Sequence, residues 1–143
     1  MEKIVTCIDY YLGAYGKTII IFTCSTDWLI LLKGAICRLL NDEVMEVDIC
    51  KLSDIKSGDS IDEFVLYKIE KSIKQCISTQ EKKPSAFVWK QDKEEIITLV
   101  GLIDGLLEGS GSGHQYLTNE DSGFVVELSL NEWVEYRKNL IET

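Results

Sequence analysis

Residues 18–23 read Thr-Ile-Ile-Ile-Phe-Thr, a β-branched run with apolar side chains at successive positions. Strand side chains alternate between faces, so such a run buries both of them, as in a central strand. Ser25, Thr26 and Asp27 follow at once and supply N-cap chemistry. Behind them Trp28, Leu32, Ala35, Ile36 and Leu39 share one helical face, and Asn41 and Asp42 end it. A buried strand running into an amphipathic helix is the repeating unit of an α/β layer.

The rest of the chain extends that alternation. Ile4, Val5, Ile8, Tyr11, Leu12 and Tyr15 recur at helical spacing, although their β-branched and aromatic character also suits a strand. Val44, Val47 and Ile49 predict a strand over 43–50, and the polar stretch from Ser53 to Ser60 a loop. Ser60 and Glu63 fit a capping box, which predicts a helix carrying Ile61, Phe64, Val65, Ile69, Ile73 and Cys76. After Glu81-Lys82-Lys83-Pro84, residues 86–89 read as a short strand. Asp92 then caps a helix whose core positions are Ile96, Leu99, Val100, Ile103, Leu106 and Leu107, widened by Ile97 and Leu102. Residues 114–118 and 124–129 predict a hairpin, and Asn131 a last helix with Trp133, Val134, Leu140 and Ile141. The expected fold is α/β: a single-domain layered fold over residues 1–143, with a central mixed sheet flanked by helices.

Charge divides the chain more sharply than any motif. The formal net charge is −9, which argues against a general nucleic-acid binder because phosphate contacts need clustered Lys and Arg. Residues 42–63 hold eight acids against Lys51 and Lys56, while residues 64–93 hold seven lysines against three acids. From residue 94 onward acids dominate again. An acidic patch steers a basic partner. A composition of 45% hydrophobic and 27% charged residues is ordinary for a globular protein and argues against disorder. The five cysteines show no C-x-x-C pair and sit among apolar neighbours, so they read as reduced thiols in a cytoplasmic protein with no metal centre. No secretory signal opens the chain, and the run Ile19-Ile20-Ile21-Phe22 is far too short to span a bilayer.

Candidate chemistry is sparse. Gly109-Ser-Gly-Ser-Gly113 could cradle a phosphate, but it follows a helix and precedes a strand, the reverse of a phosphate-binding loop. The plainer reading is a helix-to-strand connection with Gly109 as C-cap. His114, the single histidine, could act as a general base, with Ser110 and Ser112 nearby in sequence. Glu94, Glu95, Asp62 and Glu63 fall in predicted first helical turns, where a carboxylate favours the helix dipole. The three tryptophans lie within apolar patterns and read as core.

The chain resembles bacterial immunity proteins, which neutralise the toxin domains of contact-dependent inhibition and related polymorphic toxin systems. The likeness lies in Gly113-His-Gln-Tyr-Leu117 followed by Val125-Val-Glu-Leu-Ser129-Leu-Asn-Glu-Trp133, a strand running into Ser-x-x-Glu-Trp and a last helix. Ser-x-x-Glu before an apolar residue is also a plain capping box. The resemblance implies stoichiometric occlusion of a cognate basic toxin, a nuclease in many such systems, with no catalytic residue and no cofactor. From charge and expected exposure, the residues that pair with toxin lysines and arginines are Asp54, Asp59, Asp62 and Glu63, with Glu120 and Asp121 in the hairpin turn. Two rival functions stand beside this one. One is a small cytosolic enzyme using His114 near the 109–113 loop; the other is a structural or regulatory subunit that forms oligomers.

Overall fold

The computed structural model describes residues 6–13, 16–53, 55–71, 76–80, 82–118 and 123–132. In chain order its elements are β1 (Thr6–Gly13), β2 (Gly16–Thr23), α1 (Thr26–Leu40), β3 (Val47–Asp48), a 3₁₀ turn (Ile49–Lys51), β4 (Ile55–Ser57), β5 (Glu63–Ile69), β6 (Cys76–Gln80), β7 (Lys83–Asp92), α2 (Lys93–Glu108), β8 (Gly113–Tyr116) and β9 (Phe124–Leu130). The fold is α/β, as expected, and both of its sheets are mixed. The strands divide between two sheets, however, where one central sheet was expected. A five-stranded sheet runs β4-β1-β2-β9-β8 and a four-stranded sheet runs β3-β5-β7-β6.

The isoleucine-rich run is β2, and it is central. It pairs antiparallel with β1 and parallel with β9. Ile19 and Ile21 face the main core, while Ile20 and Phe22 join Cys7 on the opposite face. The main core is shared by both sheets and both helices. It contains Ile8, Ile21 and Leu128 from the larger sheet, Phe64, Phe87 and Trp89 from the smaller, and Leu29, Leu32, Ile36, Leu99 and Ile103 from α1 and α2. Aromatic rings join the two sheets: Phe87 of β7 lies 4.9 Å from Tyr10 of β1 and 6.0 Å from Phe124 of β9 between centroids.

Both helices begin and end where capping chemistry places them. The Ser25 hydroxyl accepts from the Trp28 N–H at 3.2 Å, and the Asp92 carboxylate from the Glu95 N–H at 2.9 Å. Asn41 and Gly109 are the C-caps. Ile97 departs from expectation, being half exposed on α2 while Ile96, Leu99, Ile103 and Leu106 are buried.

Four expectations are corrected. Residues 6–13 are strand β1, not the first of the two readings: alternation places Ile8 and Tyr10 on the core and Cys7 and Tyr11 on the other face. The predicted helix over 61–76 is replaced by β5 and β6. The spacing of Ile61, Phe64, Val65 and Ile69 fits a helix locally, but Phe64, Val65 and Leu66 are buried in succession and pair in parallel with β7. The strand expected over 43–50 shrinks to β3, because Ile49–Lys51 turns away as a 3₁₀ helix capped by Asp48. The expected loop over 53–60 contains β4, which runs parallel to β1. The last helix, from Trp133 onward, lies outside the described residues, as does most of the turn between β8 and β9.

β3 has only two residues, and a side chain adds to its ladder pairing. Asp48 Oδ1 accepts the Cys50 N–H at 3.1 Å and the Phe64 N–H at 3.2 Å, and Oδ2 lies 3.6 Å from Lys51 Nζ. A carboxylate accepting backbone N–H groups makes charge-assisted bonds, and its loss leaves part-buried donors unmet. Asp48→Ala is expected to lower unfolding free energy by about 2 kcal/mol, and Asp48→Asn, which keeps an acceptor oxygen, by less than about half of that. Urea denaturation of the two variants beside the parent measures both.

Candidate functional site

The acidic stretch 42–63 folds back on itself around β3 and β5. Asp48 is on β3, opposite Val65, and Glu63 opens β5. Strand alternation puts Glu63, Val65 and Tyr67 on the face of β5 that points away from the core residues Phe64 and Leu66. Two neighbouring groups register the carboxylates gathered here. Burial raises the Tyr67 phenol above its ordinary value, and Glu46, Asp48 and Glu63 push it further. Burial drives the Cys50 thiol up to about 12, with Asp48, Asp62 and Glu63 adding to the shift and a Ser57 hydrogen bond opposing it. Carboxylates from the two ends of the stretch therefore act on one region.

The sequence-based candidates fare unevenly. Asp62 and Glu63 lie at this surface, but Lys83 of β7 serves both, at 3.4 Å and 3.2 Å. Asp62 also accepts the Ser85 hydroxyl at 3.1 Å. Asp59 is exposed in the turn after β4, at the rim of a separate cleft of about 400 Å³ formed with Asp9, Tyr10, Lys56 and Gly58. A Cβ at Gly58 would run into the Asp9 carboxylate, which would have to shift. Asp54, Glu120 and Asp121 lie outside the described residues. Sequence reasoning passed over Glu46, Asp48 and Tyr67 as site residues. The signal for Tyr67 is the alternation Glu63, Val65, Tyr67, Ile69, legible once 63–69 is read as a strand.

Beyond β3 the loop from Asn41 to Glu46 exposes Glu43, Glu46 and Met45, the last with 89% of its surface open. Among the described residues no lysine or arginine pairs with Glu43, Glu46 or Asp59. Asp42 is different: it pairs with Lys68, whose Nζ also donates to the Leu40 carbonyl at 3.0 Å. Lys68, Asp42, Lys71 and Glu94 line a second cleft, of about 680 Å³, beyond the carboxyl ends of β5 and β7. Open α/β sheets commonly bind ligands in such crevices. Here Lys68 and Lys71 are already engaged, Lys71 with Glu94 at 3.3 Å, and Lys93 is a third lysine on the lining.

The glycine stretch connects α2 to β8. Gly109 caps the helix, and Gly111 and Gly113 take φ of 93° and 149°, the left-handed region that favours glycine. The Asn131 amide donates to the Gly111 carbonyl and so ties the loop to the end of β9. His114 Nδ1 lies 2.8 Å from Glu132 Oε1, and the imidazole meets the Tyr116 ring edge-on. Its cross-strand neighbour is Ser129, a buried residue whose hydroxyl donates to Glu127 at 2.8 Å. His114 lines neither cleft described above. Among the described residues, no three His, Cys, Asp or Glu side chains converge as a metal site requires. No described helix is long and apolar enough to cross a membrane.

No protein-family model matches the chain, and comparison with curated proteins and with solved structures finds no match.

The five cysteines are thiols and not disulfides, Cys7 and Cys50 buried and Cys24, Cys37 and Cys76 half-buried. Thiolate is the reactive form, so Cys50 is doubly protected by burial and by its raised pKa. Brief treatment of the native protein with iodoacetamide is expected to label Cys24, Cys37 and Cys76 and spare Cys7 and Cys50. All five react in urea. Peptide mass mapping reads the pattern.

Proposed function

We propose that the chain is an immunity protein of a contact-dependent inhibition or related polymorphic toxin system. In this reading it binds a basic toxin domain, a nuclease, and blocks its active or substrate-binding site by stoichiometric occlusion. The observation that carries the reading is that Glu46, Asp48, Asp62 and Glu63 all fall at β3 and at the start of β5, two strands that pair side by side. Such a surface presents carboxylates in place of nucleic-acid phosphates, and it attracts a basic domain over distances longer than any contact. Lys83 partly offsets Asp62 and Glu63, so Glu46 and Glu43 contribute the least compensated charge. Binding occurs in the cytoplasm, where the toxin acts, and needs no cofactor.

A second reading has one observation in its favour. The Glu132 carboxylate on His114 Nδ1 would fix the tautomer and leave Nε2 available as a base. An enzyme built on it loses its turnover on His114→Ala, whereas an immunity protein keeps its protective effect.

The binding reading makes a kinetic prediction. With the basic toxin domain encoded beside the gene, the double reversal Glu46→Lys/Glu63→Lys is expected to slow association about tenfold or more at low ionic strength. The parent rate falls steeply as salt is added and the variant's barely changes. Stopped-flow fluorescence measures both; an unaltered association rate removes electrostatic steering from the account.

A further inference from the structure

The outer face of α1 carries a pattern that the chain's own packing does not account for. Ile30 and Leu31 are apolar, yet 56% and 38% of their surface is open. Leu31 belongs to a line at helical spacing, Asp27, Leu31, Gly34 and Arg38, clear of the buried Leu29, Leu32, Ile36 and Leu39. Asp27 and Arg38 are exposed, and among the described residues neither forms an ion pair. Lys33, on the neighbouring flank, is committed to Asp104 of α2 at 2.6 Å. Gly34 has helical backbone, and a Cβ added there would meet nothing within 4 Å. Glycine inside a helix weakens it. Here neither a turn nor a close neighbour within the chain calls for one.

We propose that this face is the contact between two copies of the chain, with α1 lying antiparallel on the partner's α1 about a two-fold axis between Leu31 and Gly34. Positions 27 and 38, like 31 and 34, are symmetric about one point of the helix. A single antiparallel register therefore sets Asp27 against the partner's Arg38 and Leu31 against the partner's Gly34, and the two-fold repeats both. Such self-complementarity is what an isologous dimer requires. Leu31 fills the hollow left by the missing side chain, and the two backbones approach closely there. Asp27 and Arg38 sit in the first and last turns, where each suits the dipole of its own helix. Antiparallel packing brings opposite ends together, so the same placement pairs them across the interface. The face holds both members of each pair, anion and cation, side chain and hollow, and so it fits a second copy of itself. One face of a 15-residue helix, about 22 Å by 10 Å, is smaller than the roughly 800 Å² per partner of a standard interface. The dimer is accordingly weak, with a Kd on the order of 100 µM. It is independent of the immunity function, and either can hold without the other.

The test is sedimentation equilibrium of the full chain at low salt, from about 5 µM to about 1 mM, where the parent is expected to pass from monomer to dimer. Asp27→Arg and Arg38→Asp are each expected to weaken association about tenfold, since each sets like charges together on both sides of the two-fold. An equimolar mixture of these two variants is expected to recover close to the parent affinity, because one chain then offers only cations at the two positions and the other only anions. Gly34→Gln fills the hollow. It is expected to weaken association at least about tenfold while raising the melting temperature of the monomer by about 3 °C, as a helix former replaces glycine in open space. Circular dichroism establishes that each variant is folded, and should a charge reversal unfold the chain, Gly34→Gln decides by itself. A parent that stays monomeric at the highest concentration, folded single reversals that do not associate when mixed, or a dimer indifferent to Gly34→Gln overturns the proposal.

Discussion

One carboxylate ties the acidic stretch to the strand that follows it. β3 is only two residues long, and beside its ladder pairing and the burial of Val47 and Ile49, Asp48 fastens it by accepting N–H groups from the 3₁₀ turn and from β5. That pair of bonds closes a loop of the chain, so Glu46 and Glu63, far apart in sequence, act on the same tyrosine. Gathering like charges destabilises a fold. Here the cost is contained because Asp48 is satisfied by backbone dipoles and Lys83 stands between Asp62 and Glu63. Surfaces that set charge against local stability are where function is to be sought.

The parallel pairing of β5 with β7 explains how the basic stretch that follows is used. Residues 64–93 are rich in lysine, and as a separate patch they would have formed a second, positive surface. The topology interleaves them with the acids instead. Lys83 reaches Asp62 and Glu63, Lys68 reaches Asp42 and the end of α1, and Lys71 reaches Glu94. Much of the positive charge is thereby neutralised within the chain. Within residues 42–93 the acidity left over lies at the β3 edge and the loop before it, where among the described residues Glu43 and Glu46 have no basic partner.

How far the fold was legible depends on whether its signals were local. Both helices carry side-chain caps and an apolar stripe at helical spacing, and they lie where Ser25 and Asp92 place them. The central position of β2 followed from its four consecutive apolar residues. The segment 61–76 was misleading because its apolar spacing satisfies a helix as well as a strand, and only the register with β7 decides between them. The division into two sheets is likewise a matter of distant pairing, fastened by Tyr10, Phe87 and Phe124, which no local pattern announces. For the site, the accumulation of acids over 42–63 was plain from charge. That Glu46 and Asp48 belong with Glu63 was not, because it needs the bond from Asp48 to Phe64. Tyr67 became visible only once its segment was known to be a strand.

The central claim is that Glu46 and Glu63, from opposite ends of the acidic stretch, both act electrostatically on Tyr67, and the Tyr67 phenol reports on it directly. Selective ¹³C-tyrosine labelling, with Tyr67→Phe to assign the resonance, allows its titration to be followed by NMR in the parent and in Glu46→Gln/Glu63→Gln. The account predicts a Tyr67 pKa above the ordinary tyrosine value in the parent and a return part of the way toward that value in the variant, burial accounting for the remainder. A parent Tyr67 that titrates as a free tyrosine, unmoved by the two substitutions, would contradict it.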